Sequence, residues 1–437
     1  MKDILHLRAP GNWINDPNGF IYYKGKYHLF YQHFPYAPQW GTMHWGHAVS
    51  EDLVHWEHLG IALFPTIYED GNGCFSGSAV EVDGKMNLYY TGVRYGQPMK
   101  ENIHRCVDDD FRSSQLMITS EDGIHFDNFH GKRVIIPMSE DEEISDYRHT
   151  RDPKVWKEGE EFYMVLGSTY RNEVGRLLFY RSADGSNWEY ASQLRSERFG
   201  KILECPDIFS VDGQYVFVGS PMYIEDMAGG YEHHAVCMPA KFDPASCGLK
   251  LPGHYQYVDY GLDLYAPQTN LDKDGRRVMV AWMRMPETVQ QKDRKPWNGI
   301  MCLPRVVEVL DGHVYFRVHP EVKQYFSEKI PVEDVTLGTK PVRLRVSMKE
   351  GEELNLGGYK IWMERDYLKT DRSQVFRQIQ GHRLVSSTPK LDGKYELDIY
   401  VDENLIEVFV NDGQYVIGNV VYELGHKVQG RVEEAWQ

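Results

Sequence analysis

The first three-quarters of this chain writes one hairpin over and over, and that repetition restricts the fold more than any other feature. Residues 19–31 run Gly-Phe-Ile-Tyr-Tyr-Lys-Gly-Lys-Tyr-His-Leu-Phe-Tyr, an alternating strand, a Gly turn and a second alternating strand. The pattern returns at 79–90 around Asp83-Gly84, at 154–165 around Glu158-Gly159 and at 207–218 around Asp212-Gly213. A looser fifth copy runs from Thr269 through Asp274-Gly275 to Trp282. Period-two alternation marks half-buried strands, and glycine supplies the positive φ of a tight reversal. Second hairpins follow several copies, marked by Ser50-Glu51-Asp52, Ser120-Glu121-Asp122 and Ser182-Ala183-Asp184. Two hairpins make a four-stranded antiparallel sheet. About five such units, each of roughly 55–75 residues, predict an all-β fold built as a five-bladed β-propeller.

The propeller is expected over residues 1–305. After Leu303-Pro304-Arg305 the hairpins stop, and 306–328, with its single Pro320, reads as a connector lying against the propeller. Alternating runs resume from about Lys329 at 342–346, 395–401 and 405–410, the last ending in the hairpin signal Asn411-Asp412-Gly413. Short strands at this spacing predict a C-terminal β-sandwich over 329–437. It carries no catalytic constellation, so its expected task is packing. Length agrees, since 437 residues exceed one ordinary core and suit about two domains.

A net charge of −16 at pH 7 opposes binding to nucleic acid or to an anionic membrane. Both need clustered Lys and Arg, so a neutral small molecule is the better-matched ligand. No apolar run approaches the roughly 20 residues of a membrane span, and no basic-then-apolar leader precedes Trp13; a soluble, cytoplasmic protein is expected. Cys74, Cys106, Cys205, Cys237, Cys247 and Cys302 form no C-x-x-C pair. Free thiols are expected, without a disulfide framework, a metal site or a cofactor. His44 with His47, and His55 with His58, have i, i+3 spacing, which on strands sets the paired rings on opposite faces. Cys205 has no adjacent base and precedes Pro206, which fits a packed thiol better than a nucleophile. Neither a G-x-S-x-G elbow nor a phosphate-binding G-x-x-x-x-G-K-S/T loop occurs. The sequence neither requires nor opposes a homo-oligomer.

Three carboxylates stand out by position. Asp16 lies in Asn12-Trp13-Ile14-Asn15-Asp16-Pro17-Asn18-Gly19, Asp152 in Arg151-Asp152-Pro153 and Glu204 in Glu204-Cys205-Pro206, each just ahead of an apolar run. Asp-Pro and Asn-Gly are also ordinary turn chemistry. In a propeller, however, Asp16, Ser78, Asp152, Asp207 and Gln268 fall at corresponding places around one central cavity, so Asp16, Asp152 and Glu204 can share a pocket. Acid–base work on an acetal needs one carboxyl that gives a proton and another that stays ionised. Trp13, Phe34, Tyr36, Trp40, Trp45 and Phe75 could stack on a sugar, and Asn15, Asn18, Gln32 and Ser76 could bond its hydroxyls. For Trp45 and Trp56, filling the core is the better-matched role.

Five motifs in order, Asn15-Asp16-Pro17-Asn18-Gly19, Phe75-Ser76-Gly77-Ser78, Arg151-Asp152-Pro153, Glu204-Cys205-Pro206 and Tyr265-Ala266-Pro267-Gln268, resemble glycoside hydrolase family 32. That family comprises invertases, sucrose-6-phosphate hydrolases, inulinases and levanases. Residues 40–47, Trp297, Leu303-Pro304-Arg305 and residues 407–413 also look like family segments. The resemblance covers nearly the whole chain and implies a propeller followed by a sandwich. It implies Asp16 as nucleophile, Glu204 as general acid/base and Asp152 as the group that orients the fructosyl ring, with Arg151 holding a hydroxyl and Asp152. Asn15, Gln32, Trp40, Phe75 and Ser76 would line the fructose pocket.

The expected function is a retaining β-fructofuranosidase acting on sucrose, sucrose 6-phosphate or short fructo-oligosaccharides. An exo-acting inulinase or levanase stays open, as does a sugar-binding or sensory propeller with weak catalysis. Enzymes that cleave arabinan or xylan share a five-bladed propeller with three acids, but the Trp-Ile-Asn-Asp-Pro-Asn-Gly run favours fructosides. Loops at 94–111, 223–234 and 290–297 are expected to choose the substrate. His104-Arg105 or Lys292, Arg294 and Lys295 could supply a basic patch for a phosphate.

Overall fold

The computed structural model describes residues 1–225, 231–379 and 382–437. Each repeated hairpin becomes the inner half of a sheet whose outer half is the hairpin that follows. The first blade is Asn12–Tyr23, Lys26–Phe34, His44–Ser50 and His55–Leu63, and the second is Cys74–Val82, Lys85–Tyr95, Phe111–Ser120 and Arg133–Ile136. The third is Arg151–Glu158, Glu161–Tyr170, Val174–Ser182 and Glu189–Arg195. The fourth is built on Ile202–Val211, Gln214–Met222, Val236–Asp243 and Gly248–Lys250. In the outer hairpins of the first three blades the Ser hydroxyl donates to the Asp carboxylate two residues on, at 3.1 Å for Ser50, 3.0 Å for Ser120 and 3.0 Å for Ser182.

The fifth blade corrects the expected boundary. Its inner hairpin is Leu264–Leu271 with Arg277–Met283, and its outer hairpin is Arg305–Leu310 with His313–Val318, paired through Val278↔Val306. Residues 305–318 are therefore blade, not connector. The repeat was hidden because residues 284–304 separate the two hairpins, leaving the sheet at 284–299 and pairing back to it through Ile300 and Met301. There Val289–Gln291 pairs with Arg294–Asn298, and Trp297 and Asn298 run parallel to Asn12 and Trp13 of the first blade.

The five innermost strands pack against one another in a closed ring. Each junction carries a polar link. Asn18 Oδ1 accepts from the Gly77 amide at 3.3 Å, and Ser78 Oγ donates to the Pro153 carbonyl at 2.7 Å. Lys154 meets Asp207 at 3.1 Å, Asp207 accepts from the Thr269 amide at 2.9 Å, and Gln268 Oε1 accepts from the Phe20 amide at 3.1 Å. The apolar cores lie between blades, for example Phe30 and Trp45 of the first against Leu88 and Tyr90 of the second. Burying each such side chain contributes about 1.5–3 kcal/mol. Trp45 and Trp56 both belong to the core.

A short helix, Pro320–Tyr325, leads into two sheets of six and five strands. They enclose a second core that includes Leu344, Ile361, Ile399 and Val408. Propeller and sandwich share a continuous apolar interface in which Phe316, Val318 and Val322 join Tyr400, Leu405 and Phe409. Within that interface lies a buried ionic cluster. Arg305 Nη2 reaches Asp259 and Glu407 at 2.7 Å each, and His6 bridges Asp402 at 2.8 Å and Glu407 at 2.9 Å. Among the described residues, no helix is long and apolar enough to cross a membrane.

Candidate active site

Every innermost strand carries a β-bulge at the same height, where three residue steps face two on the neighbouring strand. The register slips between Ile14 and Pro17, Cys74 and Gly77, Arg151 and Lys154, Glu204 and Asp207, and Tyr265 and Gln268. A bulge bends its strand and re-aims side chains. In the last three blades the second bulge residue is left-handed, with φ of 63° at Asp152, 46° at Cys205 and 51° at Ala266. These are sparsely populated conformations for residues with a Cβ, maintained by the surrounding structure. The ring is close-packed here, for a Cβ on Gly77 would lie 1.8 Å from the Tyr89 carbonyl oxygen.

The bulge offers three successive positions, and each blade uses a different one. Glu204 takes the first, Asp152 the second and Asp16 the third. The correspondence drawn from sequence is therefore offset, because Asp207 and Gln268 sit one step beyond the bulge and Ser78 two. Those three hold the blade junctions instead of facing the pocket. The cause is local, since a hairpin alignment cannot reveal an extra residue in one strand.

Asp16, Asp152 and Glu204 line one cavity of about 170 Å³, together with Asn15, Gln32, Trp40, Phe75, Ser76 and Arg151. Trp13, Met43, Tyr265 and Trp282 complete its wall. Ser76 Oγ donates to Asp16 Oδ2 at 2.5 Å and Asn15 Nδ2 to Oδ1 at 3.2 Å. The Cys205 amide donates to Asp152 Oδ2 at 2.9 Å, and its thiol lies 3.6 Å from both Asp16 and Asp152. Arg151 gives Nε and Nη2 to Glu204 Oε1 at 3.0 and 2.8 Å, while the Tyr265 hydroxyl donates to Oε2 at 2.7 Å. Trp40 stands edge-on to Phe75 with ring centres 6.1 Å apart, forming an apolar wall.

Several expectations are revised. Arg151 bonds Glu204 instead of Asp152, which is held from the Cys205 backbone. Asn18 is fully buried against the second blade and does not reach the cavity. Phe34 is buried, Tyr36 points into solvent, and of the aromatic set only Trp13, Trp40 and Phe75 face the site. His47 pairs with His28 at 3.0 Å and stacks on Phe30, while His44 bonds the Thr42 carbonyl. Arg294 is spent on the Ala9 carbonyl at 2.7 Å and on Asp3, which takes it out of the basic set at 292–295. The 94–111 loop does reach the site, whereas 226–230 of the 223–234 loop lie outside the described residues. Tyr265 escaped sequence reading, although Arg-Asp-Pro, Glu-Cys-Pro and Tyr-Ala-Pro share a spacing that puts it level with Arg151 and Glu204.

Burial dominates the electrostatics, followed by mutual repulsion. Burial pushes Asp16 above the usual carboxylate range, as does the Glu204 charge, against the Ser76 and Asn15 hydrogen bonds. Asp152 is pushed up to about 7 by burial and by the charges of Glu204 and Asp16, with Arg151 opposing. Burial and the flanking carboxylates raise the Cys205 thiol far above its ordinary value, so it stays protonated and is no nucleophile. The same two causes keep the Tyr265 hydroxyl a donor. Paired acids displaced in this way are the mark of a site that moves protons.

The glycosyl hydrolases family 32 N-terminal domain matches residues 6–320 and the family 32 C-terminal domain residues 324–431. The chain belongs to glycosyl hydrolase family 32. This family 32 chain is 33% identical over 442 residues to a sucrose-6-phosphate hydrolase of Escherichia coli, covering 96% of the chain and 88% of that protein. It is 33% identical over 447 residues to a raffinose invertase of Escherichia coli, at 96% and 89% coverage. A family 32 β-fructofuranosidase of Bombyx mori superposes with a TM-score of 0.83 at 29% identity, covering 99% of this chain and 92% of that one. A variant of the same enzyme in complex with sucrose gives 0.82. The propeller with its C-terminal sandwich and the glycoside hydrolase activity are thus those of family 32.

Proposed function

We propose that this glycoside hydrolase is a retaining β-fructofuranosidase that removes the terminal fructosyl unit of sucrose, sucrose 6-phosphate or a short fructo-oligosaccharide. The observation that carries the reading is the meeting of three carboxyls from three blades at one cavity, each on a different position of the same bulge. Asp16, with hydrogen bonds that favour its charged form, attacks the anomeric carbon. Glu204 gives its proton to the glycosidic oxygen as that bond breaks, then takes one from the water that attacks the fructosyl-enzyme. Asp152 bonds ring hydroxyls, and its contacts tighten as the ring flattens in the transition state. Asn15, Gln32, Trp40, Phe75, Ser76 and Arg151 hold the fructosyl ring and the acid in place.

The names of the Escherichia coli relatives and the sucrose bound to the Bombyx mori variant support a sucrose-type substrate. We place the enzyme in the cytoplasm, because all six thiols are unpaired and a phosphorylated sugar does not cross a membrane unaided. The test is to incubate the protein with sucrose and with sucrose 6-phosphate in water containing methanol. Release of reducing sugar together with methyl β-fructofuranoside is expected. No release, or the α-anomer alone, would contradict the hydrolase or the double displacement respectively.

A further inference from the structure

A second cavity of about 630 Å³ opens on the outer side of the acids and shares Trp40, Phe75, Arg151 and Glu204 with the inner one. Since Glu204 must reach the glycosidic oxygen, the sugar beyond that oxygen occupies this outer cavity. His149 lines it. The residue is pinned on three sides: its amide donates to Asp146 Oδ1 at 2.7 Å, its ring stands edge-on to Phe111 at 5.3 Å, and its Nδ1 lies 3.0 Å from Arg151 Nη1.

Arginine can only donate, so Nδ1 must be the bare nitrogen. A neutral imidazole with a bare Nδ1 carries its proton on Nε2. Burial and the Arg151 and Arg148 charges hold His149 down at about 3, so that tautomer persists across the working range. Nε2 makes no hydrogen bond within the described protein and is not sealed from solvent. One obligate donor therefore stands ready in a cavity next to the acid, and its direction is set by the same guanidinium that grips Glu204.

Resting on the fructosidase reading, we propose that His149 is a specificity-determining residue that donates Nε2–H to a hydroxyl of the leaving sugar. The test uses two substrates that both need acid catalysis: sucrose, whose leaving group carries sugar hydroxyls, and methyl β-D-fructofuranoside, whose leaving group carries none. His149→Ala is expected to lower kcat/KM on sucrose about tenfold, chiefly through KM, and to leave the methyl glycoside within about twofold. His149→Gln, which keeps an acceptor for Arg151 and a donor for the sugar, should restore most of the loss. Equal losses on the two glycosides would make His149 a support for Arg151 alone and overturn the proposal, as would no loss on either. If the unsubstituted protein cleaves neither glycoside, nor sucrose 6-phosphate, nor 1-kestose, the fructosidase reading itself falls, and this proposal with it.

Discussion

This molecule holds two clusters of buried acids, and they behave in opposite ways. At the propeller–sandwich interface, Asp259, Asp402 and Glu407 meet Arg8, Arg305 and His6, roughly one cation for each anion. Burial would raise Asp402 and Glu407, yet the adjoining cations hold both below the usual carboxylate range. Only Asp259, which shares Arg305 with Glu407, is pushed up, to about 6. In the active site Asp16, Asp152 and Glu204 share a single guanidinium, and both aspartates move up instead. Burial is common to the two clusters; the count of cations separates them. An acid becomes chemically useful where the fold leaves its charge uncompensated, and becomes structural where the fold completes the pair.

The largest expected effect tests that division in the active site. Asp16→Asn and Glu204→Gln should each lower kcat by about 10⁴-fold or more with the melting transition intact. On an aryl fructoside whose leaving group needs no protonation, the Glu204 variant should recover in part and the Asp16 variant should not. Equal deficits of the two variants on both substrates would dissolve the role assignment.

At the interface, Glu407→Gln should leave kcat on sucrose unchanged but lower the unfolding free energy by about 3–5 kcal/mol, because Arg305 loses a buried partner. Urea denaturation decides it. A change in activity with undisturbed stability would show that the clusters are not separate in function.

Asp152→Asn should combine the two behaviours, weakening kcat more than KM while stabilising the fold. A folded value of about 7 against an unfolded 3.8 means that this carboxyl's contribution to stability is complete below 3.8 and is lost as pH climbs through 7. The variant's advantage should therefore grow over that window and level off above it, at on the order of 4 kcal/mol. Thermal melts from pH 4 to 8 would expose a flat difference if the repulsion is absent.

The smallest effect concerns Ser76. Its hydroxyl favours the charged form of Asp16, so Ser76→Ala should move the acid limb of kcat/KM upward in pH and lower activity at neutrality about tenfold. An unmoved limb would detach Ser76 from the nucleophile.

The sequence made the parts with local causes readable. Alternation and Gly turns specify a hairpin within a dozen residues, so four inner hairpins and a looser fifth could be found without knowing their neighbours. The acids could be found because each lies within two residues of a proline ahead of an apolar run. What depends on distant pairing stayed hidden. Val306 and Val307 read as connector because their partner strand is separated from them by the 284–304 excursion. The bulges left no local mark, and Asp16 differs by one position from a proline-aligned register, since Pro17 follows it where Pro153 and Pro206 stand level with it. Tyr265 is tied to Glu204 and His149 to Arg151 by contacts that only the folded ring brings about.

The closing of the ring bears on the order in which this protein can be made. The first and fifth blades are joined by the strand Arg294–Asn298, which leaves the fifth and runs beside Asn12 and Trp13 in the first blade's sheet, and by the Phe20 amide donating to Gln268. Asp16 is therefore synthesised long before the segments that shut the cavity around it. As the chain emerges, its three acids are separately hydrated and do not repel one another. Their repulsion arises only once the first, third and fourth blades meet and bury the carboxyls, with Tyr265 and Trp282 of the fifth blade completing the wall.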